Sequence, residues 1–243
     1  MSWEGWLMEA RRGRGPLRFA RQAYRDLLDL RLPMIRPIFG TVSHGRDLLA
    51  TAWTLTARFW YREPMIRYRA ARVGRRLAVE GGIPQMLGDG RIEIGDDVRI
   101  GGRNTWIVGF KVSTGAELVI GDRVTIGYQA LISAATSVRI GADTMLAGNV
   151  QIYDNPSHPL EPARRRRHEP FDIAEAHPVI VGENVWLGNR CTILRGVTIG
   201  DNSIVATGAV VTKSLPPNSL AAGNPARIIK TLTDDERTGE DPS

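Results

Sequence analysis

Three of the chain's four histidines fall in one polar, proline-rich stretch, Tyr153 to Pro178, as His158, His168 and His177. Imidazole changes protonation near neutral pH, with an unperturbed pKa of about 6.5. It can therefore take the proton of a hydroxyl, a group hardly ionised at pH 7, while that oxygen attacks an electrophile. His158 stands at the head of the stretch, in Asp154-Asn155-Pro156-Ser157-His158-Pro159-Leu160. Its neighbours have two open roles. Asp154 or Asn155 orients the imidazole, as a third group often orients a base, or one of them forms an Asx-turn before Pro156. For His158 itself the alternative is a structural loop histidine. His168 and His177 read as surface histidines.

Other chemistries have a weaker footing. No Cys–His or Ser–His pair has useful spacing, and no glycine-rich phosphate loop of Walker or Rossmann type is visible. A zinc site of three histidines would have to be built inside the irregular stretch, because the regular text around it holds no histidine. Arg164-Arg165-Arg166-Arg167 could hold an anionic glycan or phosphates, with a solvated loop as the default.

What positions this stretch is a repeat. From Val181 to Val211 an aliphatic residue returns at every sixth position: Val181, Leu187, Ile193, Ile199, Val205 and Val211. Glycine often follows it, as at Gly182, Gly188 and Gly200. Four places on is a small or β-branched residue: Val185, Cys191, Val197, Ser203, Ala209. A period of six matches neither helix nor lone strand. Three such segments make one triangular turn of about 18 residues, with the aliphatics stacked inward at strand spacing. Glycine is expected to serve the tight corner backbone. The lone Cys191 occupies an inward small position, which suits packing better than attack. Earlier marks are Ile94, Ile100, Trp106, Val112 and Leu118, then Ile120, Ile126, Ile132 and Val138, then Ile140, Leu146 and Ile152. Each restart follows a two-residue insertion, expected at a corner.

Composition sets the frame. The chain has 243 residues with ordinary apolar and charged fractions, enough for one elongated domain and an accessory segment. One cysteine excludes an internal disulfide and suits a reducing compartment. Residues 1–80 hold 16 arginines against 7 acids, leaving about −3 of the formal +6 for the rest. That basic part has no nucleic-acid motif; a basic helical segment near anionic lipid or a solvated helix face fits it. Helices are expected over residues 16–31, over Arg46–Arg62, and from Pro64 to about Val73, with Pro33 and Pro37 as breaks. They could cover a coil end, meet a membrane or pack on a neighbouring subunit. No secretory signal opens the chain, and the apolar run Leu48–Ala57 is too short for a bilayer.

Residues from about 91 to 230 resemble the hexapeptide-repeat acyltransferases, nearest to the maltose, galactoside and nodulation sugar O-acetyltransferases and their relatives in polysaccharide synthesis. The text that carries this is Ile152-Tyr153-Asp154-Asn155-Pro156-Ser157-His158-Pro159, Asn184-Val185-Trp186-Leu187-Gly188, Gly196 to Asn202, and Gly223-Asn224-Pro225-Ala226-Arg227. The resemblance implies an all-β solenoid, a left-handed parallel β-helix, preceded by an N-terminal α-helical segment. The expected division is 1–75 basic helical segment, 76–225 β-helix with an excursion at 153–178, and 226–243 C-terminal segment with an acidic tail.

It further implies acetyl transfer from acetyl-CoA to a sugar hydroxyl, with His158 as base, no metal, and a homotrimer whose site forms between neighbouring coils. By the same resemblance Trp186 lies beside the donor, Asn189 and Thr207 contact the pantetheine arm, and Thr212 and Lys213 lie near its far end. Arg227 meets coenzyme A phosphates; Lys230 stands where relatives often have arginine, which would lose a bidentate contact. On the acceptor side Gly127 and Ala135 stand where the galactoside and maltose enzymes present asparagine and aspartate, with Tyr128 and Gln129 as substitutes beside them. This departure points to a bacterial envelope or exopolysaccharide unit, lipid-linked or not. The expected location is cytoplasmic, with peripheral contact at the inner membrane face through residues 1–75 and no nucleic-acid partner. Alternatives are a drug acetyltransferase of the same fold, a non-catalytic β-helix scaffold, and a metal-dependent carbonic anhydrase-like protein.

Overall fold

The computed structural model describes Asp26, Asp29 and residues 36–110 and 115–233. Apart from Asp26 and Asp29, the expected helix over 16–31 lies outside the described residues, as do the repeat position Val112 and the acidic tail from 234. The chain divides into two compact units, Met1–Ala52 and Trp53–Ser243.

The second unit is a three-sided parallel coil. Face A holds Arg72–Val73, Arg91–Ile94, Glu117–Ile120, Ser137–Ile140, Val179–Val181 and Thr198–Ile199. Face B runs from Ala78–Val79 through Arg99–Ile100, Thr125–Ile126, Met145–Leu146 and Trp186–Leu187 to Ile204–Val205, and is extended by Ser219–Gly223 and Ala226–Thr231. Face C holds Gln85–Leu87, Thr105–Val108, Leu131–Ala134, Gln151–Tyr153, Thr192–Ile193 and Val210–Val211. Every described repeat aliphatic from Ile94 to Val211 is at most 2% exposed, and the intervening Val185, Cys191, Val197, Ser203 and Ala209 are at most 1% exposed. The six-residue period is thus the spacing at which the chain presents one side chain to a shared interior.

The insertions fall at a corner, as expected. Face A keeps its register, with Leu118 on Val138 on Val179 and Ile120 on Ile140 on Val181. The two extra residues lie where the chain turns from Ile132 on face C to Val138 on face A, so strand alternation and register survive. The repeat glycines serve a purpose different from the expected one. A Cβ on Gly188 would lie 2.6 Å from the Thr207 amide nitrogen of the next coil, so glycine is needed for close stacking. The left-handed corner conformation falls two residues after the glycine, on Asn184, Arg190 and Asn202, with φ of 52°, 58° and 57°.

The helical part also differs. Helix α1 runs Arg36–Ala57, a π turn follows at Arg58–Arg62, and helix α2 is Glu63–Arg69. Pro37 does not break the helix but sits in its first turn, where no backbone N–H is needed. The helix stops at Arg69, earlier than Val73, because Arg72–Val73 joins face A against Glu93–Ile94. The end of the coil is covered: Ile66 is fully buried in the interior cluster, Arg62 donates to the Val79 carbonyl at 3.2 Å, and Arg69 donates to the carbonyls of Gly90 and Gly88.

Candidate active site

The edge between faces C and A departs from the repeat. Here the chain leaves Tyr153, makes the excursion, and returns at Val179. Asp154 holds its root. The carboxylate is fully buried and accepts backbone N–H groups from Ala135 at 2.7 Å, Thr136 at 2.6 Å and Ser137 at 2.9 Å. It also accepts the Thr136 hydroxyl at 2.8 Å and the Asn155 amide at 2.8 Å. With its oxygens spent on these donors, Asp154 makes no hydrogen bond to His158 and forms no Asx-turn, which corrects both roles considered for it. Asn155 makes the Asx-turn: its Oδ1 accepts the Ser157 amide at 3.0 Å, while its Nδ2 donates to the Ser133 hydroxyl at 3.0 Å.

That turn puts the exposed His158 on a cleft of about 530 Å³ with Ser133, Asn155, Phe110, His168 and Phe171 in its lining. Among the described residues, nothing hydrogen-bonds the His158 imidazole, and the side chain lines the cleft. Ala135 lies in the same wall, where it forms a small apolar cluster with Phe171 and Ala176. His168 was read as a surface histidine; it is exposed, yet it faces the same cleft, beside Glu169. A sequence signal for that was available only as shared membership of one excursion. His177 is exposed elsewhere on the excursion, its backbone amide donating to the Asp154 carbonyl at 2.7 Å. No group of three or more metal-ligating side chains forms among the described residues.

The arginine run is mostly engaged. Arg164 pairs with Glu169 at 3.0 Å and donates to the Pro170 carbonyl at 2.9 Å; Arg165 donates to the Pro159 carbonyl at 2.9 Å; Arg167 pairs with Glu169 at 2.6 Å. Hydrogen bonds from Arg167 and then Arg164 hold the Glu169 carboxyl below the usual range. The excursion is therefore tied to itself by the residues that looked like an anion site. Cys191 is fully buried, and desolvation pushes its thiol up to about 12, which leaves no thiolate for attack.

The remaining expected residues do not gather around His158. Tyr128 and Gln129 sit at the edge between faces B and C, with Arg103 stacked 5.8 Å from the Tyr128 ring centroid. Asn189 and Thr207 follow on that same edge, one coil apart, and both are exposed. Trp186 is 51% exposed on face B between Met145 and Ile204. Thr212 and Lys213 are exposed on the CA edge after Val210–Val211, and Arg227 and Lys230 are exposed on the last strand of face B. Face C thus separates two sets of expected site residues within one chain.

Residues 117–154 and 178–213 match the model of the hexapeptide repeat of succinyl-transferase, and the gap between the two matches is the excursion. These two matched segments carry the hexapeptide repeat. The chain is 35% identical to the galactoside O-acetyltransferase of Escherichia coli over 139 residues, 56% of this chain and 65% of that protein. It is 36% identical to a provisionally named acetyltransferase of Saccharomyces cerevisiae over 129 residues, 53% of this chain and 63% of that protein. The chain therefore spans just under two thirds of these curated relatives. In fold it is similar to AntD, an N-acyltransferase from Bacillus cereus, with a TM-score of 0.58, 18% identity, and 71% and 90% of the two chains covered. It is also similar to a hexapeptide-repeat acetyltransferase from Vibrio cholerae, with a TM-score of 0.50, 24% identity, and 76% and 90% covered. The shared architecture is the left-handed parallel β-helix.

Proposed function

We propose that the protein is an O-acetyltransferase that moves an acetyl group from acetyl-CoA to a sugar hydroxyl, with His158 as general base. The observation that carries the reading is the open imidazole of His158 over the cleft, fixed by the Asn155 turn and the Asp154 bracket. His158 takes the proton as the hydroxyl oxygen bonds to the thioester carbonyl carbon. The carbon–sulfur bond then breaks, and the proton passes to the leaving thiolate. A thiol with a pKa of about 8.5 is a good leaving group, so no acyl-enzyme is needed. The similarity to a galactoside O-acetyltransferase supports the sugar acceptor.

The assembly follows from the split of residues. The BC edge carries Tyr128, Gln129, Asn189 and Thr207; the CA edge carries His158, Thr212 and Lys213. One chain cannot bring both to a single substrate, since face C lies between them. A second copy setting its BC edge against the first chain's CA edge does so, and a closed ring repeats that pairing for every copy; that the ring has three members is what the resemblance to the sugar O-acetyltransferases implies. In that groove the exposed Asn189 and Thr207, one coil apart, suit the extended pantetheine arm; Arg227, and less well Lys230, suit phosphates. Trp186 supplies a ring beside them. The acceptor is an envelope or exopolysaccharide unit, because the positions aligned with sugar-binding asparagine and aspartate are Gly127 and Ala135.

The test is His158→Ala. We expect kcat to fall about 10²- to 10⁴-fold with coenzyme A binding unchanged by calorimetry. Retention of most activity overturns the base assignment, and absence of any coenzyme A binding by the unaltered protein overturns the enzyme reading.

A further inference from the structure

We propose that the outward side of the helical stretch from Trp53 to Tyr68 docks on an anionic lipid bilayer. The inward side is defined by contacts: Ile66 is fully buried in the coil interior, and Arg62 and Arg69 donate to carbonyls of the first turn. On the other side Trp53, Trp60, Tyr61 and Tyr68 are 69, 84, 56 and 88% exposed. Their spacing from Trp53, at seven, eight and fifteen residues on, is that of one side of an α-helix, and the wider π turn at Arg58–Arg62 rotates the later rings by only part of a turn; Phe59, 67% exposed and six residues on, falls off that side. Four large rings left together in water are not the surface of a self-contained helix; such patches mark interaction sites.

The ring types and the charge choose the occupant. Tryptophan and tyrosine pair an apolar body with a polar tip and concentrate at the headgroup level of membranes. Residues 53–76 carry seven arginines and one acid, Glu63; Arg62 and Arg69 face the coil, and Arg75 and Arg76 pair with Asp96 and Asp97, so seven cations against three acids leave a net positive end that complements anionic headgroups. Arg72 is exposed at the end of the stretch, next to the coil. No helix among the described residues is long and apolar enough to cross a membrane, so the contact is peripheral. This extends the acceptor reading, since a lipid-linked glycan would lie in the plane of that membrane. It does not depend on acyl transfer, so the two can fail separately.

The test is flotation of the full chain with vesicles of phosphatidylcholine alone, or with about 30 mol% phosphatidylglycerol. We expect flotation with the anionic vesicles only, a blue shift of tryptophan emission, and release at about 0.5 M salt. The double substitution Trp60→Ser with Tyr68→Ser should cut partition about tenfold or more at unchanged circular dichroism. A second pair, Trp53→Ser with Tyr61→Ser, guards against an idiosyncratic loss. No flotation, equal flotation with neutral vesicles, or insensitivity to both pairs overturns the proposal. So does dissociation of an oligomer by either pair, which would assign this side to a second copy of the chain.

Discussion

Two edges of the same coil behave in opposite ways. At the edge between faces A and B most polar side chains are spent on a neighbouring coil. Arg76 pairs with Asp97, and Arg123 pairs with Asp143 at 2.6 Å. Then Asn184 Nδ2 donates to Asn202 Oδ1 at 2.9 Å, and Asn202 Nδ2 donates to Asn218 Oδ1 at 3.2 Å. At the CA edge the buried Asp154 does most of the fastening at the root of the excursion, and the imidazole beside it is left unengaged. A regular edge satisfies itself and has nothing to offer a ligand. An edge that departs from the repeat can concentrate its fastening in one residue and free another.

The sharpest way to break this contrast is Asp154→Ala. It strands three backbone N–H donors, two side-chain donors and the root of the cleft. Unsatisfied buried groups cost about 1–3 kcal/mol each, so a loss of about 3 kcal/mol or more is expected in denaturant unfolding, with loss of any transferase activity. A loss below about 1 kcal/mol would mean that Asp154 is not the fastener. Asn202→Ala should cost less, about 1–2 kcal/mol, from two amide bonds and a left-handed φ of 57°. Asn202→Gly keeps the backbone and removes only the ladder, so it should fall between Asn202→Ala and the unaltered chain.

Smaller effects test the shared interior and the exposed pairs. Cys191 should resist thiol reagents at pH 8 in the folded chain and react on unfolding. Its thiol is raised in the folded state to about 12 from about 9, so the folded state holds that proton more tightly. Its contribution is complete below pH of about 9 and is lost as pH rises toward about 12, readable as a falling melting temperature over that window. Arg123→Gln should leave the melting temperature unchanged, because both partners of its pair are half-exposed and solvent screens them. A clear loss there would show that the AB edge depends on its charges as well as its amides.

Much of this was readable in the chain itself. The six-residue recurrence from Val181 to Val211 named the inward residues, because only one side chain per segment can reach a shared axis. The break at Tyr153 located the excursion, because proline and charge cannot continue that axis. Folding decided the rest. Asp154 and Asn155 are adjacent in sequence, yet one points into the wall and the other into the cleft. Their partners Ala135, Thr136, Ser137 and Ser133 come from the preceding coil, a contact no local pattern encodes. His168 reaches the His158 cleft only because three neighbouring arginines bend the excursion back on itself. Whether a polar residue is fastener or reagent depends on which coil lies beneath it, and that is a property of stacking.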